Sequence, residues 1–242
     1  MSLTSTLLLN DRLRRHWVNL RLFYYARLLG RLRTLEADRS DPETVRHNLK
    51  SLRAGNTRMH RLLRPLTALE MLDENSKVLL IGPRNEADLW LLAGYGFSIE
   101  NLRGLDIISY SPLIDLGDMH ETPYTDNQWD AVVLGWVLSY SIDPGRLANE
   151  VVRIVKPGGI VAIGVEYSTL TPDDVSGLVG YRLGKDERIN SVAQILELFG
   201  STLGHVYYSH DAPLKRSHTK SGFIANPSAV CAIFSVNKPG SA

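Results

Sequence analysis

Between residues 77 and 165, short apolar runs alternate with stretches of helical spacing, and this alternation restricts the fold more than any other feature of the chain. Val78–Ile81 is such a run and it ends in Gly82. Leu102–Ile108, Ile114–Leu116, Ala131–Leu134 and Ile160–Val165 are the others. Between them, Glu86–Tyr95 has a helical pattern stopped by Gly96, and Pro144–Val155 has another, closed by the turn Lys156-Pro157-Gly158-Gly159. Strands at this spacing with helices between them demand right-handed crossovers, hence a parallel sheet. In the tail, His205–Ser209 and Ala229–Val236 read as two late strands that add an antiparallel edge. An amphipathic helix over Ser191–Phe199 precedes them, and a polar loop, Asp211–Pro227, separates them. The expected fold class is α/β, with a doubly wound, mostly parallel seven-stranded sheet.

The first 76 residues read as helical, which divides the chain into a leader, 1–76, and an α/β domain, 77–242. From Arg12 to Leu35 the only turn signal is Gly30. On a helical wheel Leu13, Trp17, Leu20, Tyr24 and Leu28 fall in one apolar arc with Leu22, Tyr25 and Leu29, opposite Arg12, Arg15, His16, Asn19 and Arg27. Arg14, Arg21 and Arg31 intrude into that arc. An arc of this kind packs on its own domain or on a partner subunit, a homodimer being one form. The intruding arginines also suit peripheral contact with a membrane surface. Ser40-Asp41-Pro42-Glu43 supplies a cap, a first-turn proline and an acid for a second helix, Ala54-Gly55-Asn56 interrupts it, and a third runs to about Leu72.

Charge and cysteine usage remove several function classes. The net charge is only +1, but residues 1–76 hold 14 Lys and Arg against 8 Asp and Glu, and the remainder 13 against 18. No DNA- or RNA-binding motif accompanies the basic leader, so no nucleic-acid partner is expected. No apolar run reaches the roughly 18 residues of a membrane span, and the opening leucines lack a signal-peptide layout, so the expected location is cytoplasmic. One cysteine, Cys231, rules out an internal disulfide and reads as a buried strand thiol. The histidines at 205, 210 and 218 have no partner cluster, and no metal site is expected.

In an open α/β sheet, ligands bind beyond the carboxyl ends of the strands. The candidate residues there are Gly82, Pro83, Arg84, Asn85 and Glu86 after the first strand, and Asp106 on the second. Gly117-Asp118-Met119-His120 follows the third, Gly135 and Trp136 the fourth, and Glu166 and Tyr167 the fifth. An acid about 20 residues beyond the first glycine is placed to accept hydrogen bonds from ribose hydroxyls, and Asp106 is such an acid.

The order Gly117-Asp118, Pro123-Tyr124, Asp126, Trp129-Asp130, Glu150, Arg153, Lys156-Pro157-Gly158-Gly159 resembles the class I S-adenosylmethionine-dependent methyltransferases, in particular the type 11 group. The resemblance implies a Rossmann-like sheet, S-adenosylmethionine as cofactor, and roles by position. Asp106 would hold the ribose hydroxyls. Asp118 would accept from the adenine amine while the Met119 amide serves a ring nitrogen. Gly135 would line the methionine end. Lys156–Gly159 is a structural turn with no chemistry assigned.

The first loop departs from that family. Leu80 stands where an acid is usual, and Arg84 and Glu86 stand where glycines are common. Glycine lets backbone approach a ligand closely, so these side chains either contact the cofactor or point away. Arg84 is a fork donor for its carboxylate. Glu86 faces its ammonium or caps the following helix, and Asn85 is suited to the left-handed backbone a lost glycine leaves. The opposite reading pairs Arg84 with Glu86 on the surface of a turn that binds nothing. The expected activity is methyl transfer to a small-molecule or glycan-type acceptor at oxygen, with Glu166, His210 and His120 as candidate bases, Asp211 beside them, and Tyr140 and Tyr167 as orienting groups. A non-catalytic subunit of the same fold, and a nicotinamide-dependent oxidoreductase, are the competing readings.

Overall fold

The computed structural model describes residues 3–35, 42–53, 58–167, 174, 188–211 and 229–238. Its centre is a seven-stranded sheet of order β5-β3-β2-β6-β7-β9-β8. The strands are β2 (Val78–Ile81), β3 (Leu102–Asp106), β5 (Ile114–Leu116), β6 (Trp129–Gly135), β7 (Val155–Glu166), β8 (Leu203–His210) and β9 (Ala229–Val236). Every pairing is parallel except those of β9, which runs against both β7 and β8. The late strands therefore form the expected antiparallel edge. Two short strands, β1 (Arg33–Thr34) and β4 (Ile108–Ser109), pair apart from the main sheet.

Alternating residues of the central strands feed two cores, as a pleat with a period of two requires. Val78, Leu80, Ala131, Val133, Ile160 and Ala162 face one layer, and Leu79, Ile81, Val132, Leu134, Val161 and Ile163 the other. The second layer is covered by α6 (Pro144–Ile154) and α7 (Val192–Glu197). The first is covered by α5 (Ala87–Gly94) together with leader residues: Leu22 of α2 (Asp11–Leu22), Leu52, Met59, and Leu62, Leu63 and Leu66 of α4 (His60–Leu66). The remaining leader helices are α1 (Leu3–Leu9) and α3 (Pro42–Lys50). The leader thus supplies part of the main core on one face of the sheet.

Several local expectations are corrected. The helix expected from Arg12 to Leu35 ends earlier. A π-helical segment, Phe23–Leu28, follows α2, Gly30 takes φ 61°, and Arg33–Thr34 turns extended to pair with Ile108–Ser109. The third helix stops at Leu66 rather than Leu72, one residue after its internal Pro65. Lys156-Pro157-Gly158-Gly159 is not a turn between α6 and a strand but a bulge inside β7. Trp129 pairs with Val155 and Ala131 with Ile160, so the four intervening residues are extruded, with Gly158 at φ 73°. The buried stripe of α2 is Arg14, Val18 and Leu22, whereas Leu13, Trp17 and Leu20 of the apolar arc are exposed. The arginines face the body because acceptors wait for them there: Arg14 pairs with Asp11 and donates to the Leu8 carbonyl, and Arg21 reaches Glu86. The expected cap at Ser40-Asp41, the break at Ala54–Asn56 and most of the loop Asp211–Pro227 lie outside the described residues.

Candidate functional site

The strand order reverses between β2 and β6, and the loops leaving β2, β3, β5, β6 and β7 meet there at the carboxyl edge of the sheet. Gly82 begins the turn after β2 at φ 71°, and its amide donates to the Leu105 carbonyl at 2.8 Å. A Cβ at this position would stand 2.6 Å from Val137 Cγ2, so the turn needs glycine for both backbone and space. Pro83 lies against Gly104, where an added Cβ would meet the proline ring at 2.7 Å.

The residue that takes the left-handed backbone is Arg84 (φ 60°), not Asn85. An arginine with positive φ is uncommon, and the compensation is visible: its amide donates to Asp106 Oδ2 at 2.8 Å. Asn85 instead ties the loop to its surroundings, accepting from the Ala87 amide at 2.9 Å and donating to the Leu52 carbonyl at 2.8 Å. The Arg84 guanidinium has no hydrogen bond or ion pair among the described residues, so it remains available to a ligand.

Glu86 has a different fate. It is fully buried, and its carboxylate takes Arg21 Nε at 2.5 Å, Arg21 Nη2 at 2.9 Å and Trp90 Nε1 at 3.2 Å. It offers no open face to a ligand and makes no pair with Arg84. Arg21 in turn lies near the rings of Trp17, Tyr25 and Trp90, with its guanidinium carbon 5.1–5.7 Å from their centroids. Its pKa stays raised, because the Glu86 carboxylate outweighs the burial that lowers it.

Asp106 ends β3 beside this turn. Its carboxylate is buried, which pushes its pKa up to about 6 against the opposing pull of the Arg84 and Ile108 amides. Oδ2 accepts the Arg84 amide and Oδ1 the Ile108 amide, the Ile107 amide is a further donor, and the carboxylate's remaining lone-pair capacity stays open. Asp118 lies past the end of β5. Its Oδ1 accepts from the His120 amide at 2.9 Å and from His120 Nδ1 at 2.8 Å, leaving Oδ2 free of any described partner. With the proton on Nδ1, His120 Nε2 accepts from the buried Ser141 hydroxyl at 2.8 Å. His120 is therefore an orienting group for Asp118, and its second nitrogen is not open to an acceptor. Met119 packs against the second core.

On the far side of the mouth, Gly135 ends β6. A Cβ there would lie 2.3 Å from Met59 Sδ, so leader residue Met59 covers the position assigned to the methionine end of the cofactor. Trp136 follows at φ 62°, buried, with Arg58 stacked 5.1 Å above its ring. Glu166 ends β7 next door and its Oε1 is paired with Arg58 Nη1. Its other oxygen has no described hydrogen bond. His210 ends β8 on the same edge, three strands beyond β6, which places it about 14 Å from that strand. Asp211 accepts from the Val192 amide at 2.8 Å and so caps α7. Among the described residues no group of three or more His, Cys, Asp and Glu is arranged to hold a metal ion. Cys231 is buried in β9, and burial raises its thiol pKa to about 11.

Reasoning from the sequence thus found Arg84, Asp106, Asp118 and Glu166 at one edge. It missed Arg21, Arg58, Met59 and Ser141. The first three belong to the leader, far away in sequence, and only a hydrophobic-arc analysis that took its intruding arginines as inward-facing would have drawn attention to Arg21.

Residues 100–163 match the family described as methyltransferase domain, type 11. The match covers 64 of the 242 residues, from β3 into β7, and over that span the chain is similar to a class I, type 11 methyltransferase domain. Over 64 residues the chain is 39% identical to a demethylmenaquinone methyltransferase of Desulfitobacterium hafniense, an alignment covering 26% of this chain and 24% of that protein. It is 27% identical over 113 residues to an uncharacterized methyltransferase of Mycobacterium tuberculosis, covering 40% and 39%. The matched part is thus well under half the length of these curated relatives. Among solved structures, a chain of the complex between the Haloferax volcanii Trm112 methyltransferase activator and its assigned methyltransferase superposes with a TM-score of 0.53 at 16% identity, over 83% of this chain and 97% of that one. At that identity the likeness concerns the fold. No helix among the described residues is long and apolar enough to cross a membrane.

Proposed function

We propose that this protein transfers a methyl group from S-adenosylmethionine to the oxygen of a small-molecule acceptor in the cytoplasm, with no nucleic acid involved. The observation that carries the reading is the pair Asp106 and Asp118. Two carboxylates at the ends of adjacent strands stand side by side on the β5 side of the Gly82 turn, and each keeps acceptor capacity after its internal hydrogen bonds are counted. Asp106 would take the ribose hydroxyls and Asp118, aligned by His120, the adenine amine. The Arg84 guanidinium, without a hydrogen-bond or ion-pair partner among the described residues, would hold the carboxylate at the methionine end, and Gly82, Pro83 and Met119 would form the walls, with Met59 over Gly135. Glu86 fits no such role, because Arg21 occupies its carboxylate. When bound, the cofactor supplies an electrophilic methyl group on a sulfonium. The chain's task is then to align the acceptor and remove its proton. Glu166 is the best-placed base, acting through the oxygen that Arg58 leaves open. A small acceptor is also in keeping with the relative named for demethylmenaquinone.

Calorimetry of the purified protein with S-adenosylmethionine and S-adenosylhomocysteine tests the reading. Asp106→Ala is expected to weaken binding by roughly 1–3 kcal/mol, the scale of a hydrogen bond to a charged group, and Arg84→Ala by a similar amount. No binding of either compound at millimolar concentration would refute the enzyme and leave a methyltransferase-fold subunit. Wild-type affinity in Arg84→Ala would return that side chain to the surface.

A further inference from the structure

Among the described residues, nine of the eleven exposed large hydrophobic side chains lie between Leu7 and Leu32. Most belong to one continuous face. Leu13, Trp17, Leu20 and Tyr24 recur at helical spacing along α2 and into the π-helical segment, and Leu28 and Leu32 prolong the stripe. Trp17 is 42% exposed, Leu20 51% and Leu28 63%. The helix is held to the body by a different stripe, Arg14, Val18 and Leu22 with Arg21, so the apolar face is presented rather than frayed. On a wheel of 100° per residue, Arg12, His16 and Arg27 lie on the outer side of the stripe, and Arg31 and Arg33 follow it; all five are exposed.

We propose that this face is a docking surface for an anionic lipid bilayer, on which α2 and the segment after it lie parallel to the membrane plane. Leu, Trp, Phe and Tyr beside a rim of arginine is the composition of a helix that buries its apolar side at the headgroup boundary and its cations among lipid phosphates. Charge decides between this occupant and a second copy. A two-fold interface brings the same patch against itself and would set Arg12, Arg27 and Arg31 of one copy against those of the other, with no exposed acid in the stripe to separate them. The same helix holds Glu86 of the first loop through Arg21, so a salt bridge joins the lipid-facing element to the candidate cofactor loop. The proposal is independent of the reaction catalysed.

Co-sedimentation of the full chain with vesicles tests it. Vesicles of phosphatidylcholine mixed with phosphatidylglycerol are expected to carry the protein down, phosphatidylcholine alone to leave it in solution, and added salt to release it. Leu20→Glu and Trp17→Glu should abolish pelleting, whereas Met71→Glu, an equally exposed apolar residue elsewhere, should not. Unchanged circular dichroism and melting would exclude unfolding as the cause, and Arg27→Gln, which leaves the apolar face intact, should weaken binding and flatten its salt dependence. Failure to pellet with either vesicle would overturn the proposal. So would equal binding to both, or light scattering that reveals a dimer which Leu20→Glu dissociates.

Discussion

The two halves of the site are held in place by different means. The half after β5 is self-contained. Glu150 of α6 accepts from the Thr122 amide and hydroxyl at 2.7 Å and from Arg153 at 2.8 Å. Arg153 also reaches Asp126, and Asp130 binds Lys156 and the Lys77 amide. These are the motif residues that carry the resemblance to type 11 methyltransferases, and most of them secure one another rather than face a ligand. The half after β2 carries side chains where glycines are common in the methyltransferases the chain resembles, and its loop is secured from outside by the leader. Arg21 neutralises Glu86, the Leu52 carbonyl takes Asn85, and Met59 and Arg58 close over Gly135, Trp136 and Glu166. A loop with side chains in place of glycines needs partners for those side chains, and the leader supplies them.

Breaking the outer attachment should have the largest effect. Arg21→Ala leaves a fully buried carboxylate without its cation, which costs about 3–5 kcal/mol. Chemical denaturation should register that loss, and Glu86→Gln in the same background should restore much of it. A loss below about 1 kcal/mol would mean that the leader does not secure the loop. Gly82→Ala adds a clash with Val137 to a left-handed backbone, and should cost about 1–3 kcal/mol, with a matching fall in cofactor affinity by calorimetry.

Asp88 sharpens the comparison through pH. It is buried at the start of α5, and burial pushes its pKa up to about 7, although the charges of Arg14, Arg58 and Arg84 pull it down. Its folded value lies above the unfolded value of 3.8, so the folded state holds the extra proton and stability falls as pH rises from about 4 to 7. Asp88→Asn should therefore raise the melting temperature at pH 8 and leave it nearly unchanged at pH 4. An equal shift at both values would mean that the carboxyl is ionised throughout.

The self-contained half should respond least. Arg153→Ala removes a partly exposed network and should cost up to about 1 kcal/mol. Burial raises the Glu150 pKa, but Arg153 and Thr122 outweigh it and hold it below its ordinary value. That contribution is present above the unfolded pKa and fades as pH falls through the folded one, so the cost of Arg153→Ala should shrink in acid. Melting curves across that range check it, and a cost that does not depend on pH would assign the loss to packing.

Much of the architecture could be read without coordinates, because strand and helix periods are local. Val78–Ile81, Ala131–Leu134 and Ala229–Val236 need only their own residues and the glycines, prolines and polar turns beside them to declare a buried strand. The positions of Asp106 and Asp118 follow from those strands. The orientation of α2 did not follow, because a wheel ranks faces by hydrophobicity and cannot see that Glu86, 65 residues away, is a buried acid waiting for Arg21. Nor could the bulge at Lys156–Gly159 be foreseen, since a proline–glycine cluster announces a break in regular pairing without saying whether the strand ends or bends. The roles of Arg84 and Asn85 were exchanged for a related reason: Asn85 tolerates the left-handed conformation best, but its amide was needed by Leu52 and its carbonyl by Ala87.

The amino-acid sequence by itself determined the α/β class, the mixed sheet edge and the line of acids at its carboxyl end, because each depends on periodicity and chain direction. Only the tertiary structure decided that Glu86 pairs with Arg21 of the leader, that Met59 covers Gly135, and that the leucine–tryptophan face of α2 points outward. Those outcomes rest on pairing a buried charge and filling space between segments distant along the chain, and such terms exist only once the segments have met.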